Sequence, residues 1–241
     1  MGLHLCYELA CPLTVSDAEV AERFAQLRQL ALALPLHEVS PLVHLTETEL
    51  AGPFPLRGLH FERLEDVVHV SALSVREGLH RRALGIDLDD YRRVDVPVGL
   101  STTVIGFAVA PGQGCEPASF GLARLNGNAG DPGGWWWHVC CKTQYASIVS
   151  TEHLITCHRS LVEILDAAPA LGIGIEVRDE TGYWMSRDAD QLVEAVAEMN
   201  RIVARIAGTF NDAARSAGVD SRQVGGAIFQ HPDFERLESS E

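Results

Sequence analysis

The residues best able to do chemistry fall in two short stretches. The first is Trp135-Trp136-Trp137-His138-Val139-Cys140-Cys141-Lys142-Thr143-Gln144-Tyr145. In an extended strand successive side chains point to opposite faces. Trp137, Val139 and Cys141 then form an apolar set expected to meet helices. Trp136, His138, Cys140, Lys142 and Gln144 face the other way. By the same parity, the strand Ile173-Ile175-Val177 turns Glu176, Arg178 and Glu180 outward. Were these two strands neighbours, one sheet face would carry His138, Cys140, Lys142, Glu176, Arg178 and Glu180. Such a charged, aromatic-edged surface suits a small ligand. The competing reading is a solvated face whose charges pair off, the usual outward face of an antiparallel sheet.

Lys142 is the single lysine among 19 basic side chains, the rest being arginine. Arginine does not replace lysine where a compact or titratable charge is required. A carboxylate at Glu176 or Glu180 beside it would keep it charged, which favours an anion anchor over a nucleophile. Cys140 has His138 and Lys142 close in sequence to support a thiolate, but no third orienting group; a buried structural thiol is the simpler reading. His153 and Cys157 stand four apart on one helix face, and His138 and Cys140 two apart on one strand face. Four N/S donors satisfy zinc chemistry, yet these pairs face different sides of the sheet and match no established ligand spacing.

The second stretch is Arg178-Asp179-Glu180-Thr181-Gly182-Tyr183-Trp184-Met185-Ser186-Arg187-Asp188, between a strand end and a helix start. Loops so placed often carry function. Arg178, Glu180, Tyr183, Trp184 and Arg187 are its candidate ligand contacts. The bland reading is a turn at Thr181-Gly182 with the two aromatics capping a core edge. No phosphate-binding glycine loop, nucleophile elbow or zinc-helix motif occurs.

The elements that must position these residues are legible from periodicity. Leu3, Leu5, Tyr7 and Leu9 alternate as a half-buried strand. Ser16-Asp17-Ala18-Glu19 is a capping box, and Val20, Phe24, Leu27, Ala31 and Leu34 continue as an amphipathic helix that Pro35 ends. A strand is expected over Val39 to Leu45 and another over Asp66 to Val75. Arg76 to Arg93 reads as helix or turn. Thr102 to Ala110, Ala118 to Leu125 and Trp135 to Tyr145 read as three strands, the first two joined through Pro111-Gly112-Gln113-Gly114. Leu154, His158, Leu161 and Leu165 mark a helix that Pro169 and Gly172 terminate. Leu192, Val196, Met199, Val203, Ile206 and Phe210 mark a long helix to Gly218, with Asp188 and Gln191 as its N-cap pair.

Strand–helix–strand order recurs in both halves, so the expected fold is α+β. It has a mixed, largely antiparallel sheet with helices mainly on one face. Residues 1–241 read as one domain. The sub-halves 1–98 and 99–241, and the repeat of Phe61-Glu62-Arg63-Leu64-Glu65 at Phe234-Glu235-Arg236-Leu237-Glu238, leave a duplication open.

Over roughly the second half, and in its first strand and helix, the chain resembles an uncharacterised bacterial protein family. The resemblance is carried by Cys141-Lys142-Thr143-Gln144-Tyr145-Ala146-Ser147, by His153-Leu154 and Cys157-His158, and by Asp179-Glu180-Thr181-Gly182-Tyr183-Trp184 with Arg187-Asp188. It implies no activity; it directs attention to the two loops and the lysine.

A net charge of −14 without a basic stripe argues against nucleic acid or anionic membrane as a partner. At 46% hydrophobic residues the chain is not of disordered composition. The first residues lack a signal-peptide pattern, so a cytoplasmic protein is expected, with all six cysteines as reduced thiols. Three functions follow. One is a small-molecule protein or enzyme binding an anionic ligand around Lys142 and the 178–188 loop. The second is a non-catalytic interaction protein, a homodimer included. The third is a metal protein. No cofactor is expected.

Overall fold

The computed structural model describes residues 2–46, 63–68, 71–72, 103–126 and 133–216. It divides into two compact units, residues 4–179 and residues 180–241 with 1–3.

The first unit is built on an antiparallel sheet of β1 (Leu5–Cys11), β2 (Glu38–Val39), β3 (Val43–Leu45), β4 (Val104–Ala110), β5 (Ala118–Asn126), β6 (Gly133–Cys141) and β7 (Gly174–Asp179). The order is β2-β4-β5-β6-β1-β7, with β3 also on β4. The α+β expectation holds. The N-terminal strand lies between β6 and β7, so elements from residues 1–98 and 99–241 share one sheet.

Parity sets the two faces. Leu5, Tyr7, Leu9 and Cys11 are buried, as are Trp135, Trp137 and Cys141 opposite them on β6. This face is covered by α1 (Asp17–Leu32) and α2 (Thr151–Ala167). Helix α1 starts at the expected capping box. Ser16 Oγ accepts from the Glu19 amide, and Glu19 Oε2 accepts from the Ser16 amide at 2.9 Å. An N-cap hydroxyl of this kind stabilises by about 1 kcal/mol. Val20, Phe24, Leu27 and Ala31 form its buried stripe. The polar atoms the aromatics bring inside are satisfied: Tyr7 Oη and Trp137 Nε1 both donate to the Ser119 carbonyl, at 2.8 and 3.1 Å. Pro169 falls in a 3-10 turn that ends α2, and Gly172 closes it at φ 74°, where a side chain would be strained.

Two expected strands are corrected. The segment expected extended over Asp66 to Val75 is helical at 66–68 and 71–72. Leu64, Val67, Val68, Ser71 and Ala72 are buried, which is the spacing of a helix face; the valines suggested a strand by propensity, but the period decides. The strand expected over Trp135 to Tyr145 ends at Cys141, and Gln144–Ile148 winds as a 3-10 turn. The helix or turn expected at 76–93, and the second copy of the five-residue repeat, lie outside the described residues.

The second unit contains α3 (Tyr183–Ser186) and α4 (Ala189–Ser216). Gly182 stands at φ 77° before α3, and the Asp188 carboxylate accepts the Asp190 amide at 2.9 Å at the start of α4. No helix among the described residues is long and apolar enough to cross a membrane.

Candidate functional site

The C-terminal ends of β6 and β7, the β4–β5 turn and the first turns of α2 meet at one end of the sheet. Each element delivers one part of a polar cluster, and the route from sequence is local in every case.

Helix α2 presents His153 and Cys157 one turn apart. The Ser150 hydroxyl caps the helix by accepting the His153 amide at 3.0 Å. The His153 ring lies against the sulfur, with Nε2 3.6 Å from Cys157 Sγ. Nε2 is also 3.0 Å from the Gln113 carbonyl. A carbonyl only accepts, so Nε2 carries a proton; Nδ1 lies 3.9 Å from the same sulfur. The ring and the sulfur both rest on Gly112. A Cβ there would stand 2.6 Å from His153 Cε1 and 2.8 Å from Cys157 Sγ. The turn Pro111-Gly112-Gln113-Gly114 therefore closes onto the helix only because residue 112 has no side chain.

The same turn delivers Cys115, whose amide donates to the Gly112 carbonyl at 3.1 Å. The Cys157 thiol donates to the Pro111 carbonyl at 3.5 Å, and Cys115 and Cys157 are near enough for each thiol to shift the other's titration. The neighbouring Cys115 thiol, with His153, draws the Cys157 thiol down to about 7 against the opposing effect of burial. Cys115 is pushed far up by the neighbouring Cys157 and by its own burial. Cys157 is 1% exposed, and Cys115 is the half-buried member.

Behind the thiols runs a second chain of polar groups. Thr143 Oγ1 is 2.8 Å from His158 Nδ1, and His158 Nε2 is 3.2 Å from Asp179 Oδ2. The side chains of His158 and Asp179 are each 1% exposed. A carboxylate accepts, so Nε2 carries the ring proton and Nδ1 takes the Thr143 hydroxyl proton. The Thr143 carbonyl faces Cys115 Sγ at 4.0 Å, which ties the two chains together.

The candidates expected from sequence distribute differently. Lys142 sits just past β6, off the strand face, with Nζ 3.7 Å from Glu116 Oε1; its partner is neither Glu176 nor Glu180. The Lys142 carbonyl accepts the Glu116 amide at 2.8 Å, which places Lys142 and Thr143 alongside Cys115 and Glu116. Gln144 begins the 3-10 turn and is buried. Both left the open face because extended structure stops at Cys141, and with it the alternation used to place them.

His138, Cys140 and Arg178 do share the open face, but β6 and β7 are not neighbours; β1 lies between them. The register gives one row His138–Glu8–Glu176 and another Cys140–Cys6–Arg178. Trp136 stacks on His138 and donates to Glu8 Oε2 at 3.1 Å. Cys6 and Cys140 form a disulfide. The expectation of six free thiols is thereby corrected: parity excludes a bond between adjacent Cys140 and Cys141, but it favours one between residues directly opposed on paired strands. The free cysteines are Cys11, Cys115, Cys141 and Cys157.

Glu180, Tyr183, Trp184 and Arg187 belong to the second unit. Tyr183 is buried there, and the Arg187 guanidinium lies 4.3 Å from the Trp184 ring centroid. Among the described residues no group of three or more His, Cys, Asp or Glu side chains is placed to hold a metal ion.

Sequence reasoning noticed His153 with Cys157 but weighed them only as zinc ligands of no established spacing, put His158 on a core stripe, and named neither Cys115, Glu116 nor Asp179 as a site residue. The available signal was the Gly112-Gln113-Gly114-Cys115 turn, a tight glycine turn that ends on a thiol. No family model, curated protein or solved structure matches this chain.

Proposed function

We propose that the chain is a dithiol oxidoreductase whose redox pair is Cys115 and Cys157, with His153 as its base and a small acidic disulfide as its substrate. One observation carries the reading. Cys157 rests against the His153 imidazole over Gly112, and the turn that Gly112 opens delivers a second thiol, Cys115, whose titration is coupled to that of Cys157. A buried structural cysteine needs none of this.

The chemistry is a two-step exchange. Of the two thiols, Cys157 is the one that loses its proton first. Cys115, the more accessible sulfur, passes its proton to Cys157 and attacks one sulfur of the substrate disulfide. A Cys115–substrate bond forms, the substrate S–S bond breaks, and the first substrate thiolate leaves. Cys157, now a thiol, gives its proton to His153 Nδ1 and attacks Cys115 Sγ. The Cys115–Cys157 bond forms and the second substrate thiolate leaves, taking up the proton. The protein pair is oxidised by two electrons and the substrate disulfide is reduced to two thiols. The Cys157 thiol, drawn down to about 7, gives up its proton readily for the closing attack on Cys115 Sγ. Lys142, beside the Cys115–Glu116 segment, is the group that would draw a carboxylate-bearing substrate.

The test uses the reduced full chain with glutathione disulfide, which is acidic, and cystamine, which is basic. Peptide mapping should recover Cys115 joined to Cys157 with release of two substrate thiols. Cys157→Ser should stop at the mixed disulfide on Cys115. His153→Ala should slow closure by roughly 10²-fold, the low end for a general base. Lys142→Met should slow the reaction with glutathione disulfide and leave cystamine unaffected. Recovery of both thiols unmodified from folded protein after exposure to either disulfide would remove the reading.

A further inference from the structure

The Cys6–Cys140 disulfide stands apart from the dithiol pair, on the opposite face of the sheet, and does not depend on the function proposed above. We propose that it is a reversible redox site, opened by an external dithiol and closed by an external disulfide while the sheet stays folded.

Four observations carry this. First, Cys6 and Cys140 are directly opposed in the β1–β6 register, with Cα atoms 4.0 Å apart. Their sulfurs are neighbours whether or not they are bonded. Second, the bond is not what pairs the strands. The ladder runs over seven opposed positions, from Leu5–Cys141 to Cys11–Trp135, and the far face of the same strands is anchored by buried Leu5, Tyr7, Leu9, Trp135 and Trp137. Third, Cys140 is exposed, so an incoming thiolate has a sulfur to attack. Fourth, Arg178 is opposed to Cys6 across the β1–β7 pair. Directly opposed residues hold their Cβ atoms about 5 Å apart. A guanidinium in that position stabilises a thiolate on Cys6, and a stabilised thiolate is the better leaving group.

The step follows from these positions. A thiolate of the dithiol attacks Cys140 Sγ, the Cys6–Cys140 bond breaks, and the electron pair stays on Cys6 beside Arg178. The second thiol of the dithiol, once deprotonated, attacks the mixed disulfide and releases the Cys140 thiolate. The dithiol leaves as a disulfide, and the chain gains two thiols next to Trp136 and His138. Closure by an external disulfide is the reverse exchange.

The test is made on the full chain, purified without reductant, with dithiothreitol as the probe. Alkylation in denaturant before treatment should label four cysteines, Cys11, Cys115, Cys141 and Cys157, or only Cys11 and Cys141 if the inner pair has also oxidised; in either case Cys6 and Cys140 should be recovered as one cross-linked peptide. After dithiothreitol under native conditions both should be labelled, with unchanged far-ultraviolet circular dichroism, and a lower melting temperature because the denatured chain has lost a cross-link. Removing the reductant and adding a disulfide should restore the cross-linked peptide. Arg178→Gln should slow opening several-fold without changing the circular dichroism. Three results would overturn the proposal: Cys6 and Cys140 alkylatable from the start, a bond that resists dithiothreitol until the protein is denatured, or opening accompanied by loss of the sheet signal. An opening rate unaltered in Arg178→Gln would overturn the part assigned to Arg178.

Discussion

On the sheet face covered by α1 and α2, His158 is held at both ring nitrogens, by Thr143 at 2.8 Å and Asp179 at 3.2 Å, and is 1% exposed. On the opposite face His138 is exposed and stacks on Trp136. The cysteines divide the same way. Cys115 and Cys157 are free thiols at α2; Cys6 and Cys140 are bonded across two strands on the open side. Identical residue types have different partners on the two faces. Where water is excluded, a polar group must be satisfied by specific partners, and those partners tune it. Where water reaches, partners matter less and access matters more.

The largest expected contrast lies within the covered face and shows that cover is not sufficient. Burial pushes the Cys141 thiol up to about 12, with the charges of Glu116 and Asp179 adding to it, whereas Cys157 lies at about 7. At pH 7 about half of Cys157 is thiolate against about one part in 10⁵ of Cys141, since each pH unit is a factor of ten. The thiolate is the reactive form, so alkylation of Cys157 should rise with pH and level off just above 7. Alkylation of Cys141 should still be rising at the highest pH the fold survives. Peptide-resolved alkylation rates against pH provide the measurement; a common midpoint near 9 would erase the distinction between site and core.

Next in size is a matched pair of histidine substitutions. His158→Leu removes the hydrogen-bond partner of the buried Thr143 hydroxyl and one partner of the buried Asp179 carboxylate, and should cost about 3 kcal/mol. His138→Leu on the open face should stay within about 0.5 kcal/mol. Chemical denaturation of the two variants gives both numbers, and similar losses would mean that the open face is also covered. The smallest contrast uses glycine. Gly112→Ala forces a methyl group into His153 and Cys157 and should cost about 1–3 kcal/mol as overpacking, with the alkylation midpoint of Cys157 moving upward as the ring is displaced. At Gly174 on exposed β7 a Cβ meets only the Ala10 carbonyl, at 3.4 Å. Gly174→Ala should be neutral, or stabilising by up to about 1 kcal/mol through lost freedom of the unfolded chain. Equal melting temperatures for the two alanine variants would show that the Gly112 turn can relax.

Much of the fold was legible because its signals are local. The capping box at Ser16, the heptad-like spacing through Phe24 and Leu27, the alternation of Leu5, Tyr7 and Leu9, and the Pro169–Gly172 stop each act within a few residues, and each appears where the sequence puts it. The errors arose where a local rule was carried past its end. Parity placed Lys142 and Gln144 on the open face, but parity lapses where hydrogen-bonded pairing stops, and β6 stops at Cys141. Val67 and Val68 suggested extended structure by propensity, while their spacing from Leu64 and Ala72 fits a helix face.

The sequence by itself determined which face each β-strand residue would take, and so which cysteines could never meet: Cys140 and Cys141 alternate and point apart. Only the tertiary structure decided which cysteines do meet. Insertion of β1 between β6 and β7 brings Cys6 opposite Cys140, and closure of the Gly112 turn on α2 brings Cys115 to Cys157. The physical reason is one of range. Alternation follows from the geometry of a single residue and its neighbours. Strand order is settled by burial summed over the whole core, to which a partner far along the chain contributes as much as one nearby.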